Sequence, residues 1–162
     1  MYKKLVVPLD GSELAECVLP HVESIAGGCG TGEVVFVRVV EPVHLPVGTG
    51  TDGGAVFNEA EASQIRQHED AVDKSEAQGY LDGVLSRVNI GTAKKQAQVL
   101  MGHAANELVD YLKKSDADLV VIASHGRSGI SRWVYGSVAD RLLRGACVPV
   151  LMVRAPGCVP GI

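Results

Sequence analysis

Leu119-Val120-Val121-Ile122-Ala123 is apolar at every position, and the chain runs from it into Ser124-His125-Gly126-Arg127-Ser128-Gly129-Ile130-Ser131-Arg132-Trp133-Val134-Tyr135-Gly136-Ser137. An unbroken apolar run of this length suits a strand covered on both faces, as the centre of a parallel sheet requires. A helix-like segment from Gly136 to Arg144 follows the loop. Glycines at 126 and 136 let the backbone come close to a ligand, and the first free N–H groups of that helix point at an anion. Such glycines and a serine also make an ordinary loop with a helix cap. The rest of the chain decides between the two.

Working outward, Leu5-Val6-Val7 reads as a strand ending at Pro8, which has no N–H to give to a ladder. Asp10-Gly11-Ser12 then turns the chain into a helix predicted to run from Ser12 to about Ala26. Leu14, Val18, Val22 and Ile25 share one face of it, and Gly27-Gly28 is expected to end it. Glu33 to Val40 is the next strand, and 41–57, with its prolines and glycines, reads as a surface loop. A polar helix is expected from Asn58 to about Val88, with Gly79 and Gly83 as weak points that bend it or loosen its end. Ala93 to Leu100 reads as a strand, Ala104 to Lys114 as a helix, Asp118 to Ala123 as a strand, and Val148 to Val153 as the last strand. The alternation predicts an α/β fold. It is an open, doubly wound, five-stranded parallel sheet with helices on both faces, Rossmann-like, in one domain over 1–155 with a tail at 156–162.

The bulk composition narrows the function. The chain has 162 residues, a formal net charge of -4 and 4% aromatic residues. Nucleic acid is a poor partner for it, because that needs a clustered basic surface and stacking platforms. No stretch approaches the ~20 apolar residues that span a bilayer. Cys17, Cys29, Cys147 and Cys158 show no C-x-x-C pairing and read as reduced thiols, so a cytoplasmic location is expected. The five histidines lack zinc-site spacing.

In a doubly wound sheet, ligands bind at the carboxyl ends of the strands where the strand order reverses. Asp10, Val39 and the 124–137 segment are all expected at such ends. Asp10 is placed to meet a ribose hydroxyl or an adenine amino group, or else it serves the helix turn that follows. Neither G-x-x-x-x-G-K-[ST] nor a G-x-G-x-x-G after the first strand is present. What remains is Gly126, nine residues, and Gly136-Ser137, with Val-Pro-Leu-Asp-Gly-Ser at 7–12, Ala-Asp-Leu-Val-Val-Ile-Ala-Ser-His-Gly at 117–126 and Cys-Val-Pro-Val-Leu-Met-Val-Arg at 147–154. On those residues the chain resembles the universal stress protein family, from Lys3 to Arg154.

The nucleotide-binding branch of that family carries G-x2-G-x9-G-[ST]. Here Ala123 stands at the first position, where a left-handed backbone would disfavour alanine. The resemblance implies that Pro8, Asp10 and Val39 frame an adenosine, with Ile122 and Ala123 along its floor. It implies that Gly126, Arg127, Gly136, Ser137 and Val138 face the phosphates of ATP, ADP or AMP, with Mg²⁺ or Mn²⁺ as candidate counter-ion. His125 is as well read as a loop side chain as a phosphate donor, and Arg132 and Trp133 as surface or partner contacts. It also implies a homodimer through the last strand.

Phosphoryl transfer needs a group that positions the nucleophile and carboxylates that hold a metal. Between Ile122 and Val138 there is no acidic residue. The expectation is therefore a nucleotide held as a regulatory or stabilising ligand in a stress response, with at most slow hydrolysis. Two alternatives stand beside it: a slow ATPase or nucleotidyl-handling enzyme, and a nucleotide-free dimeric interaction module.

Overall fold

The computed structural model describes residues 2–43, 58–124 and 136–154. The remaining expectations, for the loop at 44–57, for His125 to Tyr135 and for the tail from Ala155, lie outside the described residues. The strands are β1 (Lys4–Pro8), β2 (Glu33–Val40), β3 (Lys94–Met101), β4 (Leu119–Ala123) and β5 (Val150–Val153). They form one parallel sheet in the order β3-β2-β1-β4-β5. The helices are α1 (Glu13–Glu16), α2 (Leu19–Cys29), α3 (Glu59–Arg87), α4 (Ala104–Lys114) and α5 (Ser137–Gly145).

Strand alternation divides the core. Successive side chains point to opposite faces, so Leu5 and Val7 of β1 pack with Phe36, Leu81, Val84 and Val121 on one side of the sheet. Val6 packs with Val35, Val37, Leu108, Val120 and Leu142 on the other. Helices α1 to α3 cover the first face and α4 and α5 the second, which is why the central strands are apolar throughout.

The single helix expected over 12–26 is two. Pro20 has no N–H to donate to the carbonyl one turn back, so α1 closes after Glu16, and α2 restarts with Pro20 in its first turn. Nor do Gly27 and Gly28 end α2. It runs through both to Cys29 and is closed by Gly30, whose φ of 63° is the left-handed conformation a C-cap requires. The polar helix forms with its boundaries near those expected and is opened by a capping box between Asn58 and Glu61.

Gly79 and Gly83 leave α3 unbroken, and a Cβ added at either meets nothing within 4 Å. Gly79→Ala with Gly83→Ala should therefore stabilise the fold by about 1 kcal/mol per site through helix propensity alone. We expect a rise in Tm of about 4–8 °C for the pair in a chain of this size. An unchanged or lowered Tm would mean that one of the glycines serves a contact in solution that the structure does not contain.

At the amino edge of the sheet, the Asp118 carboxylate accepts the backbone N–H groups of Lys4 (2.8 Å) and Lys3 (2.7 Å). Those two hydrogen bonds, Lys4 first, hold its carboxyl below the usual carboxylate range. A lowered folded-state pKa gives stability that is present above the unfolded pKa, near 3.8, and lost as pH falls through the folded value. The stability gap between wild type and Asp118→Asn should be constant above about pH 5 and shrink steadily below that unfolded value. Urea titrations across that range measure it, and a gap independent of pH would show that the carboxylate's charge does not matter.

Candidate functional site

The chain leaves β1 toward β2 and β3 on one side and returns to add β4 and β5 on the other, so the β1/β4 boundary is where the strand order reverses. Connections diverge there and open a crevice at the carboxyl edge. A cleft of about 780 Å³, counted out to its open mouth, lies at that point. It is lined by Pro8, Leu9 and Asp10 from β1 and the turn after it, Ala15 of α1, Val37 and Val39 from β2, Ile122 and Ala123 from β4, and Ser124 just past its end. Ala104 and Leu108 of α4 and Gly136, Ser137, Val138 and Ala139 at the start of α5 complete it.

Eight of the ten expected site residues therefore border one cleft: Pro8, Asp10, Val39, Ile122, Ala123, Gly136, Ser137 and Val138. The other two, Gly126 and Arg127, lie outside the described residues. Val37, Leu9, Ala15, Ala104, Leu108 and Ala139 were not among the expected positions, and Ser124 was expected at the carboxyl edge only as the start of the 124–137 segment. Val37 carried a usable signal, since it sits two residues before Val39 and so on the same strand face. Ala104 opens a helix directly after a strand, a position that a doubly wound fold brings to the carboxyl edge. Leu108 follows one turn later on the same helix face.

The walls are mostly aliphatic, and among the described lining residues Asp10 is the only carboxylate. Its Oδ1 accepts the Ser12 backbone N–H (2.9 Å) and the Ser12 hydroxyl (2.7 Å). Ser12 is the N-cap of α1, its Oγ accepting from the Ala15 N–H at 3.2 Å. Asp10 is thus not the cap itself but the group that orients it, while still bordering the cleft.

Also bordering the cleft, Gly136 caps α5 with φ -54° and ψ 144° and donates its N–H to the Ser124 carbonyl (3.0 Å), while its own carbonyl accepts from the Asp140 N–H (2.9 Å). Ser137 is accordingly the first helical residue. The opening N–H groups of a helix have no intrahelical acceptor, and the helix dipole favours an anion beside them. Ser124 is 1% exposed, and its N–H is held by the Val153 carbonyl at 2.7 Å, which fixes the strand end from which the loop departs.

Ala123 is an ordinary strand residue paired with Val153, and Asp116 is the only non-glycine among the described residues with positive φ. The left-handed backbone that would exclude an alanine there is not adopted. Its methyl packs with the cluster that includes Leu9 and Ala15.

Among the described residues no three His, Cys, Asp or Glu side chains gather as metal ligands, and no helix is long and apolar enough to cross a membrane. Residues 1–154 match the family model of the universal stress protein family. The chain is 33% identical over 156 residues to universal stress protein MJ0531 of Methanocaldococcus jannaschii, covering 96% of this chain and 84% of that protein. The solved structure of MJ0577 from the same archaeon superposes with a TM-score of 0.74 at 23% identity, over 97% of this chain and 99% of the other. A universal stress family protein from Arabidopsis thaliana, solved with AMP bound, gives a TM-score of 0.56 at 15% identity, over 96% and 93%.

Proposed function

From the premise that the chain belongs to the universal stress protein family, we propose that it binds an adenine nucleotide, ATP, ADP or AMP, in the β1/β4 cleft and works in the cytoplasm as a stress-response protein. The observation that carries the proposal is that one cleft is bordered by three unlike groups: the Asp10 carboxylate, the aliphatic side chains of Val37, Val39, Leu108 and Ile122, and the α5 N-terminus at Gly136-Ser137. Aliphatic walls suit a base, a carboxylate accepts from ribose hydroxyls, and free helix amides hold phosphate. Gly126 and Arg127 complete the phosphate end in this reading, with the guanidinium as the charged partner.

Asp10 is already engaged by Ser12, and phosphoryl transfer would ask further carboxylates to hold a metal against the phosphates. In this reading the nucleotide is a ligand that reports or stabilises, with at most slow hydrolysis. Thiols rather than disulfides at Cys17, Cys29 and Cys147 suit a reducing compartment. Strand β5 pairs only with β4 in the described sheet, and Leu151 on it is 37% exposed. In this reading, that edge joins a second copy of the chain.

Mass spectrometry of small molecules released from the purified, denatured protein, followed by calorimetric titration with ATP and AMP, tests the ligand. A stoichiometric adenine nucleotide or saturable binding is expected, with Tm rising as ligand is added. No binding of either nucleotide would remove the reading. Light scattering at micromolar concentration tests the dimer, and a monomer mass would remove that part alone.

A further inference from the structure

Helix α3 lies outside the cleft, yet it grips the turn that carries Asp10. The Glu16 carboxylate, on α1, accepts from the Tyr80 hydroxyl (2.9 Å) and from the Arg87 guanidinium (2.7 Å), both on α3. Burial alone would raise the Glu16 carboxyl, but these two partners outweigh it and hold the group below its ordinary value. Arg38 lies with its guanidinium 5.1 Å from the centre of the Tyr80 ring, a cation–π distance. Strand alternation sends Arg38 to the face opposite its cleft-lining neighbours Val37 and Val39. There it abuts Gly11, where a Cβ would stand 3.3 Å from the guanidinium and where φ is +89°. The Asp10-Gly11-Ser12 turn is thus bordered by the cleft and by an Arg38–Tyr80–Glu16 cluster.

The arrangement has a physical purpose. Helix α1 is only four residues long, and one turn of helix does not hold itself together in water. Its cap, Ser12, and the carboxylate bonded to that cap, Asp10, keep their positions only if α1 is fixed from outside. Directional hydrogen bonds and a stacked cation fix an orientation that apolar burial of Ala15 would leave loose. We infer that Tyr80, Glu16 and Arg38 are positioning residues that set the Asp10 carboxylate for the nucleoside end of the nucleotide. This rests on the nucleotide reading and adds three residues to it that do not line the cleft.

Three variants test it: Tyr80→Phe, which keeps the ring under Arg38, Glu16→Gln, and Arg38→Met, which keeps the stem. Each should weaken AMP and ATP by the same factor, about five- to tenfold, as expected for weakening, without abolishing, one charge-assisted contact. Binding of inorganic tripolyphosphate, held at the α5 end, should not change. In the ligand-free protein, the Gly11 to Ala15 amides should exchange hydrogen faster in Tyr80→Phe than in wild type, with β1 and β4 amides unaltered. A lowered Tm with unchanged AMP affinity and unchanged exchange at 11–15 would reduce the cluster to a structural role and overturn the inference. Equal loss of AMP and tripolyphosphate affinity would overturn it too, since the effect would not then be confined to the nucleoside end. A wild-type chain that binds no adenine nucleotide overturns the underlying reading as well, which separates the two failures.

Discussion

In Gly136→Trp, affinity for both ATP and AMP is expected to fall by about 100-fold or more, with the fold intact. Gly136 caps α5 with φ -54° and ψ 144°, a conformation open to any L residue, so the substitution asks for no strained backbone. Its N–H bond to Ser124 and its carbonyl bond to Asp140 are main-chain and survive. What changes is the space beside the first amides of α5, which an indole occupies in place of a phosphate. Hydrogen bonds to a charged group contribute about 1.5–3 kcal/mol each, so excluding phosphate from about two of them accounts for a loss of that size. Calorimetric titration beside a circular-dichroism melt measures both quantities. Equal affinity in the variant and the wild type would place the nucleotide elsewhere.

Phe36→Ala should cost about 3–5 kcal/mol of folding stability. Phe36 is 0% exposed, sits on β2 between Val7 of β1 and Ala97 of β3, and is the largest fully buried side chain described. Its removal takes away the transfer free energy of the ring and leaves a cavity that flanking strands, fixed by their ladders, cannot close. Against a total of about 5–15 kcal/mol for an ordinary domain, that loss brings the protein close to its unfolding threshold. Urea titration reads it as a lower midpoint with an unchanged slope. A cost below about 1 kcal/mol would mean that the two-layer packing around Phe36 is looser than its burial indicates.

The two halves of the cleft differ in how they could be anticipated. Pro8, Asp10 and Val39 stand at the ends of apolar runs, and the strand period with right-handed crossovers sends those ends to one edge of the sheet. Gly136-Ser137 opens a helix directly after the loop that leaves β4, so the α5 amides follow from the same topology. The break between α1 and α2 was also written in the sequence, in Pro20, but the apolar spacing across it favours one continuous helix. Only the missing N–H of the proline argues otherwise. Gly27 and Gly28 misled in the opposite direction. Their cost inside a helix is about 1 kcal/mol each, and the burial of Val22 and Ala26 against the sheet outweighs it.

By itself the sequence determined the layers, the parallel strands, the carboxyl edge as the place for a ligand and the family to which the chain belongs. The first three follow from periodicity and the order of the elements, and the family from the motifs at 7–12, 117–126 and 147–154. The tertiary structure decided what distant stretches do to each other. It gave Ala123 an ordinary strand conformation in which its methyl is harmless, and made Asp10 the support of a cap in addition to a cleft residue. It also set Tyr80 and Arg87, more than sixty positions along the chain, against Glu16. Contacts of that kind depend on which helix crosses which strand end, and no local pattern of residues records it.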